Sequence, residues 1–227
     1  MTNDQWVNLA LRALAFDVDG TVADTDPIHA EAWARALRSV NGRSFEIEDY
    51  LDACINGAMT PQQFIATYSG RAEWVSIERE KRRIYPALLS DQAILTAGLA
   101  EFLHAVHSAR IRVALVSSSS RESVEALIAG PWKSAAPDVI VARGDAALPK
   151  PDPSPFRMAV ERLGVLPAST VAFEDSKSGV SSAERAGLTC IQVGCRAGRL
   201  SSLRIADFRD CSIVKEGENP CLLVRIR

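Results

Sequence analysis

The residues best suited to chemistry are two aspartates, Asp17 and Asp19, which follow a short apolar run at residues 13–16. Such a run, bounded by turn residues, predicts a strand that is buried on both faces of a parallel sheet. A divalent cation would neutralise two carboxylates this close together, and their hard oxygens suit Mg²⁺. One carboxylate could then act as a nucleophile and the other as a proton donor and acceptor. A helix N-cap cluster is the simpler alternative, but the strand before the aspartates and the Gly20-Thr21 turn after them favour catalysis.

Polar side chains also mark the ends of later apolar runs. Ser117 and the pair Glu174-Asp175 each end a predicted strand, whereas Lys150 lies in a proline-rich loop. Taken singly, the serine could cap a helix, the lysine could be solvated, and the acidic pair could favour a helix N-terminus. Taken together, a hydroxyl, a cation and an acidic metal shell shared with Asp17 suit phosphoryl transfer, which depends on positioning and cationic stabilisation.

Strand and helix patterns alternate along most of the chain. Short apolar runs predict strands at residues 13–16, 112–116, 139–141, 171–173 and 189–193. Apolar residues at helical spacing predict helices at residues 98–109, 121–129, 155–163 and 177–186. This alternation predicts an α/β fold with a doubly wound parallel sheet. In such sheets ligands bind beyond the carboxyl ends of the strands, where the polar residues described above lie.

Residues 26–95 form a block with helical patterns and no strand pattern. Helices are predicted there at residues 28–40, 47–54, 60–68 and 72–88. We expect this block to be a small helical domain inserted after the first strand, so that residues 1–25 and 96–227 make up the core. The tail is harder to interpret: residues 213–214 suggest an edge strand, and residues 220–227 are expected to be a frayed or packed terminus.

Composition excludes several classes of protein. The chain has 227 residues and a formal net charge of −2, which gives no basic field for nucleic acid. The first eleven residues do not resemble a signal peptide, and no apolar run is long enough to span a membrane. Five cysteines without a Cys-x-x-Cys pair make a disulfide framework or a zinc site improbable. We therefore expect a cytoplasmic protein, monomeric or weakly dimeric, with no nucleic-acid or membrane partner.

The segment Asp-Val-Asp-Gly-Thr at residues 17–21 resembles the nucleophile signature of the haloacid dehalogenase superfamily. The positions that correspond to the four motifs of that superfamily follow in order: Asp17 with Asp19, then Ser117, then Lys150, then Glu174 with Asp175. The resemblance spans residues 12 to about 194. It implies a Rossmann-like core and phosphoryl-transfer chemistry.

The resemblance also implies a role for each motif residue. Asp17 would be the nucleophile that forms an aspartyl-phosphate, and Asp19 would be the general acid and then the base for the attacking water. Ser117 and Lys150 would complete the catalytic set by holding the phosphoryl group. The carboxylates of Asp17 and Asp175, the main-chain carbonyl of Asp19 and the neighbouring Glu174 would form the Mg²⁺ site.

The start of the inserted block, residues 24–33, resembles the first cap helix of the β-phosphoglucomutase-like branch of the superfamily. This branch has an α-helical cap that covers the site. The candidate substrate-binding residues are His29, Gly57, Lys81, Ser118, Ser119 and Arg121. Three of them have ordinary alternatives: His29 as a satisfied interfacial histidine, Lys81 on a solvated helix face, and Arg121 as a surface arginine.

The sequence leaves three functions open. The first is a Mg²⁺-dependent phosphatase of small phosphorylated metabolites, with sugar or polyol phosphates as the expected esters. The second is a phosphosugar mutase, which by resemblance would carry an arginine in the cap loop at residues 56–60; here that loop has none. The third is a non-catalytic binding protein that keeps the fold, although the presence of every motif side chain argues against it.

Overall fold

A computed structural model describes residues 5–132, 136–194, 200–216 and 219–226. Its strands are β1 (Gln5–Ala10), β2 (Ala13–Phe16), β3 (Arg112–Val116), β4 (Val139–Val141), β5 (Thr170–Glu174), β6 (Thr189–Val193), β7 (Leu203–Ile205), β8 (Cys211–Glu216) and β9 (Asn219–Ile226). Its α-helices are α1 (Asp26–Asn41), α2 (Ile47–Tyr50), α3 (Pro61–Ala66), α4 (Trp74–Gln92), α5 (Leu99–Ser108), α6 (Arg121–Ala129), α7 (Ser154–Leu163) and α8 (Lys177–Arg185).

A six-stranded parallel sheet forms the core, with the order β4-β3-β2-β5-β6-β7. The chain first winds from β2 through β3 to β4, and then continues on the other side of β2 with β5, β6 and β7. The strand order therefore reverses between β2 and β5, which makes a crevice at their carboxyl ends. The α/β fold with a doubly wound parallel sheet, predicted from the alternating patterns, is confirmed. Strand β7 lies in the tail, at residues for which no strand was predicted.

Both faces of the sheet are covered. Successive side chains of a strand point to opposite faces, and on β2 the larger residues Leu14 and Phe16 enter one apolar cluster while Ala13 and Ala15 enter another. Phe16 stacks on Phe173 with ring centroids 5.0 Å apart. Because β2 is buried on both faces, as its apolar run predicts, the backbone that carries the two aspartates is firmly held.

The helices α1 to α4 form a cap with an apolar cluster of its own, centred on Trp33, Phe45, Phe64 and Ile77. Helix α1 packs along α4. The predicted helix at residues 47–54 is divided into α2 and a π-helical turn at Leu51–Asn56, and α4 continues four residues beyond the predicted end at residue 88. The inserted helical cap is confirmed. Its two connections run side by side, because the Thr96 amide donates to the Val22 carbonyl at 2.8 Å.

A second sheet joins the two ends of the chain. It is antiparallel, with the order β1-β9-β8, so β9 is its central strand. Of the two alternatives for the terminus at residues 220–227, frayed or packed, the structure shows the packed one for residues 220–226, since Leu222 and Val224 are fully buried in the main apolar cluster. The edge strand predicted at residues 213–214 is part of β8. Strand β1 was not predicted, because its partner β9 lies more than 200 residues away in sequence.

Cys190 lies buried in β6, and the described cysteines Cys54, Cys190, Cys211 and Cys221 are free thiols. Cys195 lies outside the described residues. None of the helices in the described part of the chain combines the length and the hydropathy that a membrane crossing requires.

Candidate active site

The loop after β2 places Asp17 and Asp19 in the crevice between β2 and β5. Asp17 continues the pairing of β2, since its amide donates to the Phe173 carbonyl at 2.9 Å. Gly20 follows with φ of +82°, and a Cβ at this position would overlap the carboxylate of Asp175. Glycine is therefore required twice over, for its backbone conformation and for the approach of Asp175 to the loop.

Lys150 is held on the core side of the site. Its ammonium donates to Asp17 Oδ1 at 2.5 Å, to Glu174 Oε1 at 2.6 Å and to the Val116 carbonyl at 2.7 Å. Burial disfavours the charged lysine, but the attraction of Asp17 and Glu174 outweighs burial and raises its pKa above the usual range. The alternative of a solvated loop lysine is wrong, since its side chain is only 4% exposed.

An acidic cluster lies next to this lysine. Asp17, Glu174 and Asp175 each offer a carboxylate oxygen, and these oxygens lie within 4.8 Å of one another. Burial and the charge of Glu174 raise the pKa of Asp17, and the same two causes raise the pKa of Asp175 to about 7. The one ammonium of Lys150 therefore does not balance the cluster.

The cluster fits a divalent cation. Hard carboxylate oxygens are the ligands that Mg²⁺ and similar ions take, and like charges confined in a buried site call for a cation to neutralise them. Glu174 is the least available of the three, because Oε1 accepts from Lys150 and Oε2 accepts from the Ser176 hydroxyl at 3.1 Å. Gly179 permits this position of Glu174, since a Cβ there would overlap its carboxylate.

Asp19 has different neighbours, although it lies only two residues after Asp17. Its carboxylate accepts hydrogen bonds from Thr25 Oγ1 at 2.8 Å, from Ser119 Oγ at 2.7 Å and from Tyr85 Oη at 2.9 Å. Burial opposes ionisation of this carboxyl, but hydrogen bonds from His29, Ser119 and Thr25 outweigh burial and lower its pKa. Three of these partners, Thr25, His29 and Tyr85, lie on the cap or on its connection.

A chain of polar contacts runs from the cap to Asp19. Lys81 Nζ lies 2.8 Å from His29 Nδ1, and His29 Nε2 lies 2.8 Å from Tyr85 Oη, which donates to Asp19. An ammonium has no acceptor, so Nδ1 accepts from Lys81 and Nε2 carries the ring proton. Burial lowers the pKa of Lys81 to about 8. Lys81 also lies over the Tyr85 ring, 3.8 Å from its centroid.

These contacts decide between the alternatives for two cap residues. The solvated-face alternative does not describe Lys81, whose ammonium faces His29 and Tyr85. His29 Nε2 lies 3.4 Å from Asp19 Oδ1, and both ring nitrogens have partners, which agrees with the alternative of a satisfied interfacial histidine. The sequence analysis missed Tyr85, which belongs to none of the recognised motifs. One sequence pattern does point to Tyr85. It lies four residues after the candidate residue Lys81 in the helix predicted at residues 72–88, and residues four apart share a helix face.

The serines lie at the carboxyl end of β3. Ser117 Oγ is 3.5 Å from Asp19 Oδ2 and accepts from the Ser119 amide at 2.9 Å. Ser118 is exposed and lines a cavity together with Ser117 and Lys150. The structure thus brings the predicted serines to the edge of the sheet at which the aspartates lie.

Two predicted substrate-binding residues lie elsewhere. Arg121 forms ion pairs with Asp145 at 2.6 Å and with Glu125 at 3.9 Å, which agrees with its surface alternative. Gly57 is exposed beside the π-helical turn of the cap, where a Cβ would overlap the carbonyl of Ala53. In the described structure neither residue contacts the aspartates.

Comparison with known proteins identifies the family. The sequence model of the haloacid dehalogenase-like hydrolases matches residues 11–187, which is most of the chain. The chain belongs to this family. Protein CbbY of Rhodobacter capsulatus is 31% identical over 212 residues, which cover 88% of this chain and 93% of that protein. The phosphorylated carbohydrates phosphatase of Thermotoga maritima is 33% identical over 191 residues, which cover 78% of this chain and 82% of that protein.

Solved structures of haloacid dehalogenase-like proteins have the same fold. CbbY of Rhodobacter sphaeroides in complex with xylulose-(1,5)bisphosphate has a TM-score of 0.73 and 27% sequence identity, and the match covers 87% of this chain and 95% of that chain. The resemblance stated from the motifs is therefore confirmed. Family membership, together with relatives that are phosphatases, identifies this haloacid dehalogenase-like chain as a phosphatase.

Proposed function

We propose that this phosphatase hydrolyses small phosphorylated carbohydrates or polyol phosphates, that it depends on Mg²⁺, and that it works through an aspartyl-phosphate at Asp17. The observation that carries the proposal is the pair of carboxylates at the end of β2. Asp17 lies against Lys150 and the acidic cluster, whereas Asp19 lies among hydroxyl donors. The names of the relatives from Thermotoga maritima and the CbbY group support the substrate class.

The proposed reaction has two steps. A carboxylate oxygen of Asp17 forms a bond to phosphorus while the bond from phosphorus to the ester oxygen breaks, and Asp19 gives its proton to that oxygen. Water then forms a bond to phosphorus as the bond from phosphorus to Asp17 breaks, and Asp19 takes the proton from the water. Asp19 is thus restored to the acid form for the next ester.

The cap would control when Asp19 holds a proton. In this structure its hydrogen bonds favour the ionised form, which suits the base of the second step. Movement of the cap would change the contacts that Thr25, His29 and Tyr85 make with Asp19, and its pKa would rise as donors are lost. We propose residues 1–25 and 96–227 as the core and residues 26–95 as the cap that moves.

The other site residues would bind Mg²⁺ and the phosphoryl group. Asp17, Asp175 and the main-chain carbonyl of Asp19 would hold Mg²⁺, with Glu174 beside it. When bound, the ion would neutralise the charge of the phosphoryl oxygens. Lys150 would hold Asp17 in place and face the phosphoryl group, and the hydroxyls of Ser117 and Ser118 would bind its oxygens. Ser119 would instead orient Asp19, to which its hydroxyl already donates.

Phosphatase activity is favoured over mutase activity by the cap loop at residues 56–60, which has no arginine. A mutase must hold the distal phosphate of a bisphosphate intermediate, ideally by a bidentate arginine. Lys81 is a point charge without that planar fork, and it already contacts His29. Without a strong anchor in the cap, we expect water to reach the aspartyl-phosphate before the intermediate is turned round.

The test is to supply Mg²⁺ and β-glucose 1-phosphate with a trace of the 1,6-bisphosphate, and to measure inorganic phosphate and glucose 6-phosphate in parallel. We expect phosphate release to exceed glucose 6-phosphate formation. A panel of sugar and polyol phosphates would then identify the ester that the enzyme hydrolyses most efficiently. Near-quantitative conversion to glucose 6-phosphate would make the protein a mutase. Full activity in excess chelator would overturn the metal requirement.

A further inference from the structure

A cavity of about 480 Å³ opens beside the catalytic residues on the core side. One part of its wall is the phosphoryl end of the site, formed by Ser117, Ser118 and Lys150. Another part is the loop after β4, which contributes Arg143 and a series of small or apolar residues up to Pro149. A molecule that fills the cavity therefore reaches from the transferred phosphoryl group to this loop.

A hydrogen bond holds the main chain of Arg143 in place, whereas its side chain is exposed. Its amide donates to the Ser119 carbonyl at 2.9 Å, so the backbone of the loop is attached to the serine loop of the site. Its side chain is exposed, and no hydrogen bond or ion pair joins its guanidinium to any residue that the structure describes.

The neighbouring arginines behave differently. Asp145, two residues after Arg143, lies 2.6 Å from Arg121 and 3.6 Å from Arg162. The carboxylate closest in sequence is thus shared by two other guanidinium groups. Arg143 is left on the cavity side of the loop with five N–H donors available.

Lys150 cannot take the place of Arg143. An ammonium has three N–H donors, and Lys150 directs its donors at Asp17, Glu174 and the Val116 carbonyl. Among the described residues that line the cavity, Arg143 is therefore the cation without a carboxylate partner. The charge of Arg143 also helps to lower the pKa of Lys81 on the cap, behind the larger effect of burial.

We propose that Arg143 binds a second anionic group of the substrate, a phosphate or a carboxylate, so that the enzyme prefers phosphate esters with two anionic ends. The guanidinium can hold such a group through two parallel hydrogen bonds, which supplies orientation as well as attraction. The second anion then binds at the core loop, and the cap loop still lacks the arginine anchor on which the argument against a mutase depends. This inference rests on the proposed phosphatase function.

The experiment compares esters that differ in the second anion. Steady-state release of inorganic phosphate is measured in Mg²⁺ for fructose 1,6-bisphosphate against fructose 1-phosphate, and for 6-phosphogluconate against sorbitol 6-phosphate. The first pair tests a second phosphate and the second pair tests a carboxylate. The variants are Arg143→Gln, Arg143→Lys, and Arg162→Gln as a control, since Arg162 contacts Asp145 and is not among the described residues that line the cavity.

We expect Arg143→Gln to raise KM about tenfold for the member of each pair that carries a second anionic group, as the loss of a charge-assisted pair of hydrogen bonds predicts. Its kcat, and both constants for the matched ester without that group, should stay within about twofold. Arg143→Lys should recover part of the affinity, since it keeps the charge and loses the fork. Arg162→Gln should resemble the wild type.

Equal effects on both members of each pair, or no effect on either, would overturn the role of Arg143. A wild type that prefers fructose 1-phosphate and sorbitol 6-phosphate, the members without a second anionic group, would also overturn it, while leaving the phosphatase function intact. If the wild type hydrolyses none of the four esters but hydrolyses an aryl phosphate, the proposed substrate class fails instead. The two failures are therefore distinguishable.

Discussion

Asp17 and Asp19 have the same side chain, lie two residues apart, and have opposite pKa shifts. Among the described residues, Asp17 lies beside core groups: Lys150 at 2.5 Å and the carboxylates of Glu174 and Asp175 at the end of β5. Burial and the charge of Glu174 raise its pKa. Asp19 faces the cap, where hydrogen bonds outweigh burial and lower its pKa. Pairs of carboxyl groups whose surroundings separate their pKa values are the pairs to which different roles in catalysis can be assigned.

The two aspartates differ in whether the residues around them can move with the cap. Glu174 and Asp175 lie at the end of β5, which pairs with β2, and the ammonium of Lys150 is held by the Val116 carbonyl at the end of β3, so the positions of these partners of Asp17 are fixed by the core. Three partners of Asp19 lie on the cap or on its connection, so its surroundings change if the cap moves. A fixed nucleophile and a proton carrier whose pKa responds to the cap follow from where each partner is attached.

The largest effect should come from removing each carboxylate. Asp17→Asn keeps size and removes the attacking charge, so we expect turnover to fall by about 10⁴-fold or more. Asp19→Asn should also turn over slowly, but it should release one nitrophenolate per enzyme from p-nitrophenyl phosphate before it stops. This leaving group needs no proton, so only the second step requires Asp19. Stopped-flow absorbance measures the burst.

Asp49→Asn is the matched control, since Asp49 is an exposed cap aspartate, and it should keep wild-type turnover. A burst from Asp17→Asn, or steady wild-type turnover by Asp19→Asn on an alkyl phosphate, would reverse or remove the assignment of the two carboxylates.

A smaller effect should come from the cap contact to Asp19. Tyr85→Phe removes the hydroxyl that lies 2.9 Å from Asp19 Oδ1 and keeps the ring under Lys81. We expect kcat for an alkyl phosphate to fall about tenfold, the cost of one hydrogen bond to a charged group. The pH dependence of kcat should shift as well, because Asp19 loses a donor that favours its ionised form.

Tyr68→Phe serves as the control, since Tyr68 packs against Phe45 and Phe64 in the cap. If Tyr85→Phe changes only thermal stability, and leaves kcat and its pH profile unchanged, then the hydroxyl plays no part in orienting Asp19.

The smallest effect is expected on thermal stability, in the way that Mg²⁺ raises Tm at different pH values. The pKa of Asp175 is raised to about 7, above an unfolded value of about 3.9. Its contribution to the free energy of unfolding is therefore fully present below about pH 4. That contribution is lost as the pH rises through 7 and the buried carboxylate ionises. Mg²⁺ should restore the stability that is lost. We therefore expect Mg²⁺ to raise Tm by about 5 °C at pH 8 and by less at pH 5.5, where the ion must displace a proton.

Asp175→Asn should reduce the difference between the two pH values, measured by thermal unfolding in Mg²⁺ against chelator, and Asp17, whose pKa is also raised, accounts for what is left. An equal rise in Tm at both pH values in the wild type would contradict the account of the acidic cluster.

Local sequence patterns were enough to predict the core of the fold and most of the residues of the site. The strands of the parallel sheet are short apolar runs, and polar residues at their ends converge because parallel strands end at the same edge. Patterns were not enough where a contact depends on distant pairing. Strand β1 pairs with β9 across almost the whole chain, and both alternate only weakly.

The same limit applies within the site. Tyr85 is 66 residues from Asp19 in sequence and reaches it through the packing of α4 on α1, which no motif encodes. The pairing of Arg121 with Asp145, 24 residues later, was equally invisible. For these residues the sequence predicts a helix or a loop, and the neighbours follow only from the tertiary structure.

The most direct test of the account is to locate the phosphoryl group during turnover. Wild-type enzyme is quenched in acid while it hydrolyses p-nitrophenyl phosphate, and borohydride reduces the acyl phosphate, which converts the phosphorylated aspartate to homoserine. Mass spectrometry of the digested protein then locates the change. The account predicts reduction at Asp17 and an unchanged Asp19. Reduction at Asp19, or a burst of nitrophenolate without reduction at either aspartate, would contradict it.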